Sequence, residues 1–368
     1  MKIGVDARLY GPKHTGIGRY VRNLVLQLIS ISPDDQFVIF GDPALLEELT
    51  SRPNVTVVRL KTKIYSLAEQ VINPSVFSHH QLDLLHVPHF NAPLLYRGKT
   101  VLTIHDLIKH LSVGPTTTTL PRWQYKLKHL GYKLVVHHSL KKASAIVTPS
   151  HYWKNYLINQ LHLDSKKIFV TYEAVDPKLY PPKSPDKSVL KKYQLHKPFL
   201  IYTGNLYPHK NVKVLINAVN SFNRHHTTKL TLAIIAGRSA FQKKISSTNH
   251  IKPLGFVPDS DFPHLYSQAL ALVQPSLIEG FGLTGLEAMR LNLPVLSSSA
   301  TCLPEVYSQA ALYFDPYNQS DLEEKISWIV KDQGLRERLI SRGKERVAEF
   351  SWKQTALDTY EAYQYAKK

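Results

Sequence analysis

Short apolar runs alternate with amphipathic helical patterns along most of this chain of 368 residues. A strand-like run, Lys2 to Ala7, is followed by Gly16 to Ser30, where apolar residues recur at helical spacing. The other strand-like runs are Phe37 to Phe40, Val55 to Leu60, Leu84 to Val87, Val101 to His105, Ala145 to Thr148, Ile168 to Tyr172, Phe199 to Thr203, Leu230 to Ala236, Ala269 to Val273, Pro294 to Ser297 and Ala311 to Phe314. This alternation predicts an α/β protein with parallel sheets.

A proline- and lysine-rich stretch, Pro177 to Lys192, separates two series of strands and is typical of a linker. The chain is long for one domain and natural for two. We therefore predict two Rossmann-like domains, residues 1–180 and residues 181–350, each with a ligand crevice at the carboxyl ends of its strands. Ser351 is a good cap for a last helix that begins at Trp352 and runs to residue 368.

Composition narrows the class of protein. No apolar run approaches the roughly 20 residues that a membrane-spanning helix needs. The first residues enter a strand at once and do not resemble a signal peptide. A single cysteine, Cys302, excludes an internal disulfide and suits a reducing cytoplasm. The formal charge of +18 fits a basic soluble surface, an anionic membrane, nucleic acid or a phosphate-bearing substrate.

Two glutamates, Glu279 and Glu287, stand eight residues apart between an apolar run and a helical pattern. The stretch Glu279-Gly280-Phe281-Gly282 lies in the predicted loop, and Leu283 begins the predicted helix. Glycines let a ligand approach the backbone, and free amides at a helix N-terminus attract phosphate. The segment could therefore hold a sugar, a diphosphate and a ribose in line. The alternative is a strand-loop-helix with one capping and one solvated glutamate.

The Glu279 to Glu287 stretch resembles the signature of retaining glycosyltransferases of family 4. Members have the GT-B fold, in which two Rossmann-like domains with parallel sheets face each other across a cleft. The resemblance implies that Glu279 lies at the donor sugar and that Glu287 accepts hydrogen bonds from the ribose. We also expect replacement of Glu279 to change stability little. The last helix, residues 351–368, is implied to close the N-terminal domain, which is the acceptor side.

The resemblance extends to the first half of the chain. Gly16 and Gly18 look like the glycine loop of the family, which faces the donor phosphates; a Thr-capped helix start is the alternative. His105 ends a strand, and the resemblance implies that it hydrogen-bonds the transferred sugar, although a lone histidine is more often structural. Glu173-Ala174-Val175-Asp176 stands where the family commonly has Asn-Gly-x-Asp, and we expect no loss of chemistry from this departure.

In the second half, Gly204 follows a strand, and the family pattern continues with an Arg and, five residues later, a Lys on the diphosphate. Lys210 fits this pattern, but Asn205 removes one fixed charge, as in a branch that includes many mannosyltransferases. Phe256 and Val257 resemble the segment whose backbone meets the nucleotide base.

Residues 259–261 spell D-x-D, a metal motif of a different glycosyltransferase fold, but we interpret them as a helix N-cap. The histidine pairs lack a complete set of metal ligands, so we expect no metal site.

Residues 120–142 form a basic segment without acidic residues. Trp123, Leu127, Leu130 and Leu134 can share one face of a helix there. Such a face can lie on a membrane interface or face the core, and the pattern favours the core.

Together these features predict a cytoplasmic, metal-independent, retaining glycosyltransferase with Glu279, His105 and Lys210 as catalytic residues. It would move a hexose, with mannose the first candidate, from a nucleoside diphosphate sugar to a glycan or lipid-linked acceptor. A GDP-sugar is favoured over a UDP-sugar as co-substrate. The inner face of an anionic plasma membrane is a candidate partner and nucleic acid is not. The alternative is a non-catalytic, basic nucleic-acid- or membrane-binding protein on a degenerate GT-B scaffold.

Overall fold

The protein is described by a computed structural model that covers residues 1–11, 15–114, 117–118, 120–237 and 245–368. The chain divides into two compact units. The first comprises Met1–Leu107, Leu120–Glu173 and Ser351–Lys368, and the second comprises Ile108–Thr119 and Ala174–Phe350. The chain thus leaves the first unit after Glu173 and returns to it at Ser351.

The strands of the described residues are short and mostly buried. They are β1 Lys2–Asp6, β2 Gln36–Gly41, β3 Val55–Arg59, β4 Leu84–Val87, β5 Thr100–Thr103, β6 Ala145–Thr148, β7 Ile168–Val170, β8 Phe199–Thr203, β9 Thr231–Ile235, β10 Ile251–Gly255, β11 Ala271–Gln274, β12 Val295–Ser298 and β13 Ala311–Phe314.

The α-helices connect these strands. They are α1 Thr15–Ile31, α2 Leu67–His79, α3 Ile108–Leu111, α4 Arg122–Lys142, α5 His151–Leu161, α6 Ser188–Lys192, α7 Val212–His225, α8 Phe262–Tyr266, α9 Leu283–Arg290, α10 Leu303–Tyr307, α11 Gln319–Lys331, α12 Gln333–Ala348 and α13 Trp352–Lys367.

Within the described residues, the first unit has a seven-stranded sheet in the order β3-β2-β1-β4-β5-β6-β7, and its neighbouring strands are parallel. Every residue of β4, β5 and β6 is buried, as expected for a parallel sheet covered on both faces. The chain order reverses between β1 and β4, so loops leave the sheet there in opposite directions and open a crevice at the carboxyl ends of the strands.

The last helix, α13, packs against α1 and against the strands from β4 to β7. Ser351 caps it by accepting a hydrogen bond from the Gln354 amide at 3.1 Å, which confirms the predicted cap. Thr355 donates its hydroxyl to the carbonyl of Tyr172 at 2.6 Å, and Tyr363 is fully buried. The helix is therefore an integral layer of the first unit.

The second unit has a six-stranded parallel sheet in the order β10-β9-β8-β11-β12-β13, again counting only the described residues. The chain order reverses between β8 and β11, so the loops after these two strands lie side by side. Strand β10 was not predicted, because Lys252 and Pro253 interrupt its apolar pattern. Proline is tolerated there since β10 is an edge strand, and its register shifts between Pro253 and Gly255.

Three further expectations need correction. The linker contains a short helix, α6, within its predicted limits. Asp261 stands at the N-cap of α8, but its side chain makes no capping bond. It accepts hydrogen bonds from Lys192 Nζ at 2.6 Å and Tyr193 Oη at 2.8 Å instead.

The third correction concerns α4, whose apolar stripe does not face the core. The exposed fractions of its side chains are 68% for Trp123, 66% for Leu127, 57% for Leu130 and 63% for Leu134. The residues of α4 that are buried are Val136, Ser139 and Leu140, near its C-terminal end. The stripe therefore lies on the surface of the first unit, among exposed lysines.

Candidate active site

The carboxylate of Glu279 is fixed in the loop between β11 and α9. The residue is 8% exposed. Its Oε1 accepts hydrogen bonds from Gln274 Nε2 at 2.9 Å and from Ser276 Oγ at 2.6 Å. Its backbone amide donates to Thr301 Oγ1 at 3.1 Å. These contacts hold the carboxylate in one defined orientation.

Lys210 forms an ion pair with this carboxylate. It ends a 3-10 turn, Pro208–Lys210, in the loop after β8. Its Nζ lies 2.8 Å from Oε1 and 2.7 Å from Oε2 of Glu279. Asn211, the next residue, has a left-handed φ of 54° and donates its side-chain amide to the carbonyl of Pro316 at 2.8 Å. Because β8 and β11 are neighbours, their loops bring the two charges together.

The ion pair sets the charge state of the site. Burial alone would raise the pKa of Glu279, but the charge and hydrogen bonds of Lys210, with those of Ser276 and Gln274, outweigh it and lower the pKa. Burial, and then the charge of Lys210, lowers the pKa of His209 to about 4. At neutral pH the site thus holds one carboxylate, one ammonium and a neutral imidazole.

The loop that carries Glu279 approaches α9 through a glycine. Gly282 has φ 98°, and a Cβ there would lie 2.6 Å from both Leu303 Cδ2 and the Tyr307 hydroxyl. That hydroxyl also bonds to the carbonyl of Gly282 and to Gln274. No side chain caps α9. The first amides of α9 point out of the helix end beside the ion pair, where an anion would be favoured.

Gly204 and Asn205 lie directly after β8. Gly204 has φ 151°, and a Cβ there would lie 3.0 Å from the Tyr202 hydroxyl. Asn205 is exposed, and its Oδ1 accepts a hydrogen bond from the Tyr207 amide at 3.3 Å. The Asn205 side chain therefore stabilises its own turn and presents its amide nitrogen as the donor.

The other predicted site residues of the second unit lie on α9 and in the loops after β10 and β11. Glu287 is half-buried on α9. Burial raises the pKa of Tyr266, the hydrogen bond with Thr203 lowers it, and the negative charge of Glu287 raises it further. In the loop after β10, Phe256 is 73% exposed and Val257 is 5% exposed. Gly280, Phe281 and Leu283 complete the segment around Gly282, with Phe281 buried against Phe350.

The other three predicted residues belong to the first unit. Gly16 and Gly18 form the start of α1, and the Thr15 side chain lies outside the described residues. A Cβ at Gly16 would meet no atom within 4 Å. His105 follows β5, with Nδ1 2.9 Å from Glu173 Oε1 and Nε2 3.2 Å from the carbonyl oxygen of Pro88.

Several site residues were missed by the sequence reasoning. Gln274, Ser276 and Thr301 hold Glu279, and Glu173 holds His105. The polar residues that follow the apolar run Ala269 to Val273 were a usable signal for Gln274 and Ser276. Thr301 and Glu173 carried no local signal, because their roles depend on strand neighbours distant in sequence.

Three further features of the described residues bear on function: the cysteine, groups that could hold a metal, and helices that could span a membrane. Cys302 is fully buried, and burial raises the pKa of its thiol well above the usual value, so the thiol is unreactive. Among the residues that the structure describes, no group of three or more His, Cys, Asp or Glu is arranged to hold a metal ion. In the same residues, no helix has the length and apolarity needed to cross a membrane.

Comparison with known proteins identifies the family. The model of Glycosyltransferase Family 4 matches residues 14–179, and the model of Glycosyl transferases group 1 matches residues 187–346. O-antigen chain mannosyltransferase B of Escherichia coli is 28% identical over 375 residues, covering 95% of this chain and 96% of that protein. The chain is a glycosyltransferase of family 4.

Solved structures show the fold of this family 4 glycosyltransferase. Sucrose-phosphate synthase from Thermosynechococcus elongatus has a TM-score of 0.75 at 18% identity, covering 99% of this chain and 98% of that one. Anabaena HepE, solved with UDP and glucose, has a TM-score of 0.71 at 18% identity and covers 99% of each chain. The predicted GT-B fold class is confirmed, and the alternative of a non-catalytic binding protein is not favoured.

Proposed function

We propose that this glycosyltransferase moves a hexose, with retention of anomeric configuration, from a nucleoside diphosphate sugar to a glycan or lipid-linked acceptor. The ion pair of Lys210 with the buried Glu279, beside the uncapped N-terminus of α9, carries this proposal. A cation and a helix N-terminus together suit a diphosphate. A fixed carboxylate beside them suits a sugar that develops positive charge as the diphosphate leaves.

Each predicted site residue of the second unit then has a role in donor binding. Lys210, the amides of Gly280 to Leu283, and Gly204 with Asn205 would bind the diphosphate. Glu279 would orient the sugar and stabilise its transition state. Glu287 would accept hydrogen bonds from the ribose.

The nucleotide base would meet the backbone of Phe256 and Val257 in the loop after β10. In the first unit, Gly16 and Gly18 would contact the donor phosphates, and His105 would contact the transferred sugar.

The state of Glu279 favours an electrostatic role over nucleophilic attack. Both oxygens accept hydrogen bonds from Lys210, and one of them also accepts from Gln274 and Ser276. A hydrogen-bonded carboxylate with a lowered pKa is a weak nucleophile. We therefore favour attack by the acceptor hydroxyl on the face from which the diphosphate departs. No metal is needed in this scheme, because Lys210 and the helix N-terminus supply the positive charge.

GDP-mannose is the donor that we place first. One relative that matches along 96% of its own length, and over 95% of this chain, is O-antigen chain mannosyltransferase B. The corresponding acceptor would be a growing polysaccharide.

We also propose that the protein works in the cytoplasm, at the inner face of the plasma membrane. The exposed stripe of Trp123, Leu127, Leu130 and Leu134 supports this proposal, because an apolar face exposed to water favours a lipid interface. Lys126 and Lys133 each precede a leucine of the stripe and are exposed. Cations in this position favour anionic lipid headgroups. A lipid-linked acceptor would be presented at the same surface.

Release of nucleoside diphosphate tests the proposal directly. GDP-mannose, UDP-glucose and ADP-glucose are each incubated with the protein, with mannose and α-linked mannobiose as probe acceptors. We expect GDP-mannose to be turned over fastest and the product to retain the α configuration. Faster turnover of UDP-glucose would overturn the donor assignment alone. Product with inverted configuration would overturn retention, and no turnover of any donor would overturn the proposed reaction.

A further inference from the structure

His105 has an acceptor on each ring nitrogen. Nδ1 lies 2.9 Å from Glu173 Oε1, and Nε2 lies 3.2 Å from the backbone carbonyl oxygen of Pro88. A carboxylate and a carbonyl can accept hydrogen bonds but cannot donate them. A neutral imidazole has only one N–H, so both contacts form together only when the ring of His105 is protonated.

The groups that face the ring favour this charge. Burial alone would lower the pKa of His105, but the hydrogen bond and charge of Glu173, the charge of Asp106 and the carbonyl of Pro88 outweigh it and raise the pKa. The ring and Glu173 are both largely buried, with side-chain exposed fractions of 13% and 11%. Solvent therefore screens their attraction weakly.

Two described neighbours on other elements, His86 and Tyr20, are neutral. On β4, burial and then the charge of His105 lower the pKa of His86 to about 3, so His86 is neutral. His86 bonds to the hydroxyls of Tyr363 at 2.6 Å and Thr103 at 2.8 Å. On α1, the ring of Tyr20 meets His105 edge-on at a centroid distance of 4.6 Å, and burial raises the pKa of its hydroxyl.

We propose that Glu173 is a positioning residue that holds His105 as an imidazolium and presents its Nε2–H to an oxygen of the bound donor. This step rests on the proposed function, which places His105 at the transferred sugar. The Pro88 contact is the longer of the two, so a substrate oxygen can take the Nε2–H while Glu173 keeps the ring in place. His105 then acts as a charged donor and does not remove a proton from the acceptor.

Nuclear magnetic resonance tests the pair without any substrate. The imidazole signals of His105 are identified by their loss in the His105→Asn variant, and they are titrated in wild type, Glu173→Gln and Glu173→Asp. We expect the titration midpoint of His105 to fall in Glu173→Gln, because the anion is gone, and to recover in part in Glu173→Asp. An unchanged midpoint in Glu173→Gln would overturn the proposal.

The pH dependence of kcat/KM for GDP-mannose tests whether the positive charge of His105 contributes to catalysis. Since the protonated ring is the active form, activity falls as pH rises through the raised pKa of His105. In Glu173→Gln the fall begins at lower pH, with a loss of about tenfold or more at pH 8 and a smaller loss at pH 5.5. Glu173→Asp should recover part of this loss.

A matched control variant, and the outcomes given below, distinguish a failure of the proposed role of Glu173 from a failure of the proposed function. Glu361 is an exposed glutamate on α13, so Glu361→Gln removes a charge from the same unit and should leave the pH profile unchanged. A lowered midpoint of His105 with superimposable wild-type and Glu173→Gln profiles would overturn the catalytic use of the charge. Absence of turnover in wild type at every pH would count against the proposed function. The resonance titration would still decide whether Glu173 keeps the ring of His105 protonated.

Discussion

Lys210 Nζ contacts both carboxylate oxygens of Glu279, at 2.8 and 2.7 Å, although the two residues are 69 positions apart. The contact exists because β8 and β11 are adjacent and each sends a loop from the same edge of the sheet. The ammonium of Lys210 is thus paired with the Glu279 carboxylate. A bound diphosphate must share this cation with Glu279. Changes to this one ion pair should therefore alter donor affinity, catalysis and stability together.

Replacement of Lys210 by methionine should weaken GDP binding by about 10-fold or more, because a charge-assisted contact is lost and Lys210 no longer balances the negative charge of Glu279. Isothermal titration calorimetry measures the change. Lys213→Met is the matched control, since Lys213 is exposed on α7 and lies three residues further along. Equal affinities of Lys210→Met and Lys213→Met for GDP would contradict the assignment of Lys210 to the diphosphate.

Glu279 should contribute to stability in a pH-dependent way, contrary to the expectation from sequence. Its pKa is lowered below the ordinary 4.5, so its stabilising effect is present above pH 4.5 and is lost as pH falls through the lowered pKa. At pH 7, Glu279→Gln should lower the free energy of unfolding by about 1–3 kcal/mol. Urea unfolding at pH 7 and pH 3.5 measures both proteins. A difference in urea midpoint as large at pH 3.5 as at pH 7 would refute the effect.

Membrane binding through α4 should depend on both charge and apolar surface. We expect co-sedimentation with anionic liposomes, with binding that weakens as salt rises. Replacing Lys126, Lys128 and Lys133 by glutamine should weaken binding further without reducing donor turnover in solution. Replacing Leu127 and Leu130 by serine should also weaken it.

A control for the membrane test is Tyr317→Ser, which removes an exposed aromatic side chain from the second unit and should leave binding unchanged. Equal binding to neutral and anionic liposomes, or binding to neither, would count against a docking role for α4.

Donor selectivity should favour GDP over UDP and ADP when the three are compared by calorimetry at one salt concentration. A tenfold preference corresponds to only about 1.4 kcal/mol, so a single hydrogen bond to the base is enough to produce it. Tighter binding of UDP than of GDP would overturn the donor assignment and leave the glycosyltransferase identity intact.

The fold was predictable wherever a strand is buried on both faces. The ranges of β4, β6 and β8 agree with their apolar runs, because a central parallel strand needs continuous apolar residues. The range of the edge strand β13 agrees with its apolar run as well. Strand β10 escaped prediction because an edge position tolerates Lys252 and Pro253. The spacing of the apolar residues in α4 predicted an apolar face, but a single sequence does not show whether that face is buried or exposed.

The candidate site was predictable only in part. The spacing of Glu279, the glycines and Glu287 marked the donor loop, because phosphate binding imposes a local pattern on the chain. The partners of the charged residues were not predictable. The contacts of Lys210 with Glu279, and of Glu173 with His105, depend on which strands lie side by side, and a single sequence does not state the strand order.

The most direct test of this account is the initial rate of GDP release from GDP-mannose, at saturating donor, for wild type and Glu279→Gln. The variant keeps the shape of the side chain and removes the charge that would stabilise the transition state. We expect a rate at least about 100-fold lower, measured at a temperature where both proteins remain folded. A rate within a few-fold of wild type would contradict the central role of the Glu279 carboxylate.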